Sequence, residues 1–223
     1  MRLKLLKRRS EAPDIYSFIF EPETPVSWQP GQYMKYVLGH PKVDNRGPER
    51  WFTISSAPFE RLIMLTTRLA GAEGSSFKKT LMKLKPGDGV EAEGPKGNFI
   101  LQAGDFKHIF IAGGIGVTPY HSMLKQFDHD GKMPHIELLY ANTDENLAFR
   151  DFFEALDKKY YEFKLREFIG QRIMMGDIER FIKDETEIFY LSGPKAMVEN
   201  YEHLLKDAGV TEARIRTDYF PGY

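Results

Sequence analysis

The 223-residue chain contains no cysteine. Disulfides, thiolate zinc sites and cysteine-ligated iron-sulfur clusters are therefore excluded, and if electrons move through this chain their carrier is organic. Neither sign of charge is in excess. The 31 basic and 32 acidic side chains leave a net charge of -1, so no global basic field is available to hold nucleic acid. Long apolar runs are missing too. The N-terminal MRLKLLKRRSE has no uninterrupted apolar core, so it reads as neither a signal peptide nor a membrane span, and the same holds along the chain. These features point to the cytoplasm. The six histidines (His40, His108, His121, His129, His135 and His203) are scattered without an HExxH-like pair, and no metal site is expected from them.

What is present describes two domains of roughly 100 residues each. Residues 2–9, 15–20, 32–38, 50–56, 62–68 and 90–93 are short β-rich runs separated by turn signals such as Ala12-Pro13-Asp14, Trp28-Gln29-Pro30-Gly31 and Lys85-Pro86-Gly87-Asp88. They fit a small barrel, with one helix over 74–84 between the fifth and sixth strands. Past a boundary near residue 102 the pattern changes to alternating strand and helix. Strands are expected over 108–112, 136–141, 162–167, 187–191 and 213–217, with helices from 118, over 146–156, 177–182 and 194–208. Such alternation argues for a parallel sheet with helices on both faces. The expected fold is thus an N-terminal six-stranded antiparallel β-barrel over 1–102 and a C-terminal Rossmann-like doubly wound parallel sheet over 103–223.

Three stretches carry residue types suited to chemistry. In Phe106 to Gln126, a strand-like run enters Gly113-Gly114-Ile115-Gly116 and leaves through Thr118-Pro119 into a helical pattern. Glycines permit a tight turn and close ligand approach, Thr118 can cap the helix, and Pro119 suits its first position. The helix start then offers N–H groups and a positive dipole end to an anion such as a pyrophosphate. In Arg50-Trp51-Phe52-Thr53, residues two apart on a strand share a face. A guanidinium for phosphate, a ring for a flat heterocycle and a hydroxyl for a ring nitrogen together describe a flavin nucleotide site. Gly74-Ser75-Ser76 opens a helix and offers further donors to a phosphate, with Thr67 and Arg68 just before it.

Five motifs in order resemble the ferredoxin-NADP reductase family. Arg50-Trp51-Phe52-Thr53 followed by Ser55-Ser56-Ala57-Pro58 looks like its Arg-x-Tyr-Ser/Thr flavin motif. Gly94-Pro95-Lys96-Gly97-Asn98-Phe99 is similar to its Gly-Pro-x-Gly-x-Phe junction. Gly113 to Pro119 resembles its nicotinamide-nucleotide motif, Ser192-Gly193-Pro194-Lys195-Ala196-Met197 its Cys-Gly-Pro-x-x-Met motif, and Asp218-Tyr219-Phe220 its C-terminal acidic-x-Phe.

The resemblance implies a flavin domain and an NAD(P) domain. Arg50 would bind the flavin phosphate, Phe52 would stack on or edge the isoalloxazine, and Thr53 would hydrogen-bond near its N5, with Trp51, Thr67 and Arg68 in the cofactor-binding set. Gly74, Ser75 and Ser76 would hold the flavin phosphates, and Phe220 would cover the other ring face. Gly114, Gly116, Thr118 and Pro119, with Gly193, Pro194 and Met197, would position the nicotinamide nucleotide. Ser192 would lie near the transferred hydride, and Asp218 would give a polar contact or proton path. Phe52 in place of Tyr loses a hydroxyl, Ser192 replaces Cys, and Asp218 is one methylene shorter than Glu.

The activity implied is hydride transfer from NADH or NADPH to a bound flavin, FAD rather than FMN by family habit. Electrons would pass on to a small redox protein such as ferredoxin or flavodoxin, or to a companion subunit. The alternatives are a reductase that uses free flavin as substrate and a non-catalytic flavin-binding subunit. Asp144, after the second strand of the NAD(P) domain, would repel a 2'-phosphate and tilts the choice towards NADH.

Overall fold

Alternation of apolar and polar side chains at a spacing of two makes the first hundred residues fold as strands. The structure is a computed structural model and describes residues 1–69, 74–182 and 185–219. Strands β1 (Arg2–Ala12), β2 (Ile15–Pro22), β3 (Tyr33–Val37), β4 (Glu49–Thr53), β5 (Ile63–Arg68) and β6 (Gly89–Lys96) form one antiparallel sheet in the order β4-β3-β6-β1-β2-β5. Pairs two apart on successive strands supply its core: Leu3 and Leu5, Phe18 and Phe20, Met34 and Tyr36, Ile63 and Leu65, Val90 and Ala92. Helix α1 (Ser76–Leu81) adds Phe77 and Leu81, which are four apart and so lie on one face. Ser75 caps it, its hydroxyl accepting from the Lys78 amide at 3.2 Å. The helix is shorter than the 74–84 expected: Lys83 and Leu84 bond three residues back, to Thr80 and Leu81, and Pro86 disfavours a helical Lys85.

The sheet is barrel-like and its ladder is not closed. Its two edge strands meet just beyond β4, where the Ser55 amide donates to the Met64 carbonyl at 2.8 Å. The Ser55 hydroxyl also donates to Met64 O, at 2.9 Å. With its one proton spent there, Ser55 Oγ must accept from Thr66 Oγ1 at 2.7 Å, and Thr66 Oγ1 in turn accepts from Ser17 Oγ at 2.8 Å. Three buried hydroxyls thus form a one-way relay from β2 through β5 to the edge.

The second sheet comprises β7 (Lys107–Gly113), β8 (Ile136–Asn142), β9 (Phe163–Ile169), β10 (Glu187–Ser192) and β11 (Ile215–Asp218), all parallel, in the order β11-β10-β7-β8-β9. Its connections carry α2 (Thr118–Asp130), α3 (Arg150–Lys159), α4 (Met175–Ile178) and α5 (Lys195–Asp207). Strands buried on both faces need apolar side chains on both. Ile109 and Ile111 join the cluster containing Val198, Tyr201 and Leu205 of α5. On the next strand Tyr140 meets Phe153 of α3 edge-on at 6.3 Å between ring centroids. The strand order reverses between β7 and β10, and in open α/β sheets ligands bind at such a switch point, outside the carboxyl ends of the strands.

Three expectations for the helices change in detail. Thr118 does not cap α2: Gly114–Val117 is already a 3-10 turn, Val117 is the N-cap, and Thr118 is the first helical residue. Helix α3 starts at Arg150 rather than 146, because Asp144 Oδ1 accepts from the Asn146 amide at 2.8 Å and holds that residue in a turn. The expected helix over 177–182 is α4 followed by a 3-10 turn over Glu179–Phe181.

By packing, the described residues of Met1–Ile100 and Thr118–Gln126 form one compact unit, and those of Leu101–Val117 and Phe127–Pro221 form the other. Within the first, the buried His121 contacts the Ser55 carbonyl through Nδ1 at 2.6 Å and Ser122 Oγ donates to Ser56 O at 2.6 Å. Among the described residues no helix is long and apolar enough to cross a membrane.

Replacing Thr66 with Val keeps the shape but leaves the buried Ser17 proton without its acceptor. A loss of about 1–3 kcal/mol in unfolding free energy is expected, read from urea midpoints; an unchanged midpoint contradicts the relay.

Candidate functional site

The sheet register brings three strand ends abreast: Ala112 of β7, Ser192 of β10 and Asp218 of β11 pair in line. Immediately beyond them the two glycine segments meet. A Cβ placed on Gly116 would lie 2.5 Å from Gly193 Cα and from Ser192 O, and 2.6 Å from Gly193 N, so backbone rests on backbone and only glycine fits. Beside Gly113, the space where a side chain would begin is filled by Met197 and Pro194. Gly114 differs: its φ is +53°, in the left-handed region that favours glycine, and a Cβ there would meet only Asn142 Oδ1, at 3.6 Å. The Asn142 amide is itself fixed, Nδ2 donating to Asp144 O at 2.8 Å and to Asn146 O at 3.1 Å. Gly114, Gly116, Ser192, Gly193, Pro194 and Met197 therefore form one assembly at the switch point, from segments far apart in sequence. Thr118 and Pro119 follow at the start of α2, both buried.

Ser192 and Asp218 are buried side by side, Ser192 Oγ donating to Asp218 Oδ2 at 3.4 Å. Burial pushes the Asp218 carboxyl up to about 7, against the opposing pull of that hydrogen bond. At neutral pH it can both take and give a proton. Phe220 lies outside the described residues.

In the first unit, Arg50 and Phe52 do share a face. The Arg50 guanidinium carbon is 5.7 Å from the Phe77 ring centroid and the Phe52 ring 5.8 Å from the same centroid. Phe52 is only 3% exposed and is wedged among Tyr36 and Phe77, so its ring is core here. The open aromatic on β4 is Trp51, 37% exposed, edge-on to Tyr33 at 5.4 Å with Lys96 Nζ 5.3 Å from its centroid. Thr53 ends β4, buried, in register with Tyr33. Thr67 is buried, and Arg68 pairs with Asp14 at 3.4 Å.

Two side chains that the sequence reading passed over organise this region. Asp44 Oδ2 accepts from the Ser76 amide at 2.8 Å, and Asp44 Oδ1 from Arg50 Nη2 at 3.3 Å. Arg50 also donates through Nη1 to the carbonyls of Arg46 and Gly47, at 2.8 and 3.0 Å. The Ser76 hydroxyl meets the Asp44 amide at 3.0 Å and His40 Nε2 at 2.8 Å. Hydrogen bonding to the Ser76 amide, above all, holds the Asp44 carboxyl well below the usual carboxylate range. Arg50 and Ser76 are thus brought together, as expected of a phosphate site, with a carboxylate between them. Gly74 and Ser75 adjoin it in sequence. That an Asp in a Pro- and Gly-rich loop reaches a serine 32 positions on has no periodic signal by which it could be found.

The family model for the oxidoreductase NAD-binding domain matches residues 110–203. Over 163 residues the chain is 34% identical to ferredoxin-NADP reductase B of Sorangium cellulosum (strain So ce56), covering 70% of this chain and 61% of that protein. It is 29% identical over 226 residues to a flavohemoprotein of Candida norvegensis, covering 95% of this chain and 56% of that one. The chain thus spans less than two thirds of the length of these curated relatives. Its fold is similar to that of the flavohem-like FAD/NAD binding domain of nitric oxide dioxygenase from Vibrio cholerae O1 biovar El Tor, with a TM-score of 0.82, 20% identity and 97% of each chain covered.

Two outcomes are expected. Gly116→Ala forces backbone apart and should cost about 1–3 kcal/mol, measured by denaturant unfolding; unchanged stability would refute the close seat. For Asp218, a native pKa raised above the unfolded value means that stability from the bound proton is complete below about pH 4 and is lost as the pH rises through about 7. Asp218→Asn should therefore gain stability relative to the parent between these limits. Taking the difference cancels the buried His108 and His121, whose pKa values fall to about 4 and about 3 and act in the opposite sense. A difference that stays constant with pH contradicts the assignment.

Proposed function

We propose that the chain is a ferredoxin-NADP reductase-like oxidoreductase, an NAD(P)H-dependent flavin oxidoreductase that passes electrons to a small redox protein or a companion subunit. When bound, the nicotinamide supplies a hydride and the flavin accepts it. The observation that carries this reading is the seat of Gly116 on Ser192-Gly193 at the switch point. It gives a nucleotide a backbone surface without side chains at the carboxyl ends of the strands, followed by the thirteen-residue helix α2.

The residues of this chain bind and orient. Gly114 leaves room for close approach by the nucleotide, Gly116 and Gly193 let the two segments seat on each other, and Met197 packs against Gly113 and Gly193. Ser192 positions Asp218 by donating to Oδ2, which leaves Oδ1 as the oxygen at which the carboxyl holds or releases its proton. The donor set of Arg50 and Ser76 fits a flavin phosphate, since it already binds an anion, the Asp44 carboxylate. FAD is preferred to FMN in keeping with the Vibrio cholerae FAD/NAD binding domain that shares this fold. NADH is preferred to NADPH. Arg150, the basic side chain that follows β8, is engaged by Glu145 at 3.3 Å, Glu154 at 3.1 Å and Glu167 at 2.6 Å, leaving Asp144 to oppose a 2'-phosphate.

A second reading, a reductase that takes free flavin as substrate, is favoured by the burial of Phe52 and by the engagement of Arg50 with Asp44. Both weaken the grip on a resident flavin.

The visible spectrum of the purified protein, before and after anaerobic NADH or NADPH, tests these readings. Bound flavin bleached faster by NADH than by NADPH is expected. Colourless protein that reduces added flavin selects the second reading, and bound flavin untouched by either nucleotide contradicts both.

A further inference from the structure

We propose that Asp44 is an internal competitor for the phosphate ester that Arg50 and Ser76 are built to hold, so that binding of the ester and seating of the 39–49 loop exclude one another. The inference rests on the flavin reading for the identity of the ester and on the following geometry for the rest.

The Asp44 carboxylate receives side-chain donors from two arginines, Arg50 Nη2 on Oδ1 and Arg46 Nη2 on Oδ2, each at 3.3 Å. The Arg46 amide adds a third donor at 3.0 Å and the Ser76 amide a fourth at 2.8 Å. Two guanidinium groups and two amides around one pair of oxygens form a donor set of the kind that recognises phosphate. The loop is tied down at the same residue. His40 Nδ1 meets the Leu38 carbonyl at 2.7 Å and must donate to it, so in the neutral ring Nε2 is the acceptor and takes the Ser76 hydroxyl proton at 2.8 Å. Ser76 Oγ then accepts from the Asp44 amide at 3.0 Å. Among the described residues, the contacts that seat the loop on Ser76 run through Asp44 and His40.

The charge around this carboxylate is not balanced. Arg46 and Arg50 both pair with it. One carboxylate faces two guanidinium groups. The anionic phosphate of a flavin nucleotide would take the same donors and would release that carboxylate to water, where it is well solvated. The exchange is therefore close to even, and the charge on Asp44 sets the affinity. A flavin without phosphate has nothing to exchange.

The test compares the full chain with its Asp44→Asn variant, in which the amide oxygen still accepts from Ser76 and the negative charge is gone. Three probes are titrated: inorganic pyrophosphate, followed by thermal shift, and FMN and riboflavin, followed by fluorescence quenching. Expected are a larger pyrophosphate shift in the variant and FMN affinity at least tenfold tighter, with riboflavin affinity unchanged. Adding Arg50→Gln to the variant should abolish the gain. Unchanged or weaker binding of both pyrophosphate and FMN in the variant overturns the competitor, even if the parent chain binds flavin and is reduced by NADH. A pyrophosphate gain in a protein that takes up neither flavin retains the competitor and removes the flavin reading instead. An equal gain for riboflavin shows that the effect does not act through phosphate and also overturns it.

Discussion

Everything proposed for the second unit depends on one contact between two segments of backbone. Gly116 rests on Ser192-Gly193 at a distance that no side chain survives, and these segments lie at the ends of adjacent parallel strands. Side-chain packing tolerates small errors, but a backbone-to-backbone seat does not, so the position of the turn is fixed by the register of β7 and β10. The hydrophobic faces of the sheet, filled from one side by α5 and from the other by α3, supply the stability that this rigidity needs. The proposed nucleotide surface is thus a consequence of strand order: the two glycine segments meet where that order reverses.

Buried polar groups mark the places where this chain departs from simple packing. In the first unit the hydroxyls of Ser17, Thr66 and Ser55 satisfy one another in sequence and end on a carbonyl, which closes the sheet edge without an unpaired donor. Asp44 satisfies Ser76 and two arginines in the same manner, yet with a charge, which in the proposed exchange another anion replaces. In the second unit, the Asp218 carboxyl is buried with one weak partner among the described residues, so its proton is held to near neutral pH. The first arrangement is structural. The other two hold charge in places where a ligand or a proton can change it, and such places are where function concentrates.

The fold was legible because its signals are local. Alternation at a spacing of two marked the six antiparallel strands, and strand-helix alternation marked the parallel sheet. The glycine turn and the Ser192-Gly193-Pro194 segment were also legible as motifs, and the structure brings them into contact. What could not be read was set by long-range contact. Phe52 carries the pattern of a stacking ring, but Tyr36 and Phe77, from a neighbouring strand and from α1, bury it. His40 and Asp44 lie in a loop whose composition says only turn, and their meeting with Ser76 follows from the tertiary path of that loop. Thr118 has the residue type of a cap, but the glycine turn before it is itself wound as a 3-10 helix and Val117 is the N-cap, so Thr118 is already helical.

The central claim is that the turn at Gly114 to Val117 and the facing Ser192-Gly193 segment are the seat of a pyridine nucleotide. Amide-resolved hydrogen exchange on the full chain, with and without NADH, tests it most directly. The account expects the amides of Gly114, Gly116 and Gly193 to shift and to exchange more slowly when the nucleotide is added, while amides in the distant Lys85-Pro86-Gly87-Asp88 turn do not change. Protection confined to other parts of the chain, or none at saturating nucleotide, would contradict it.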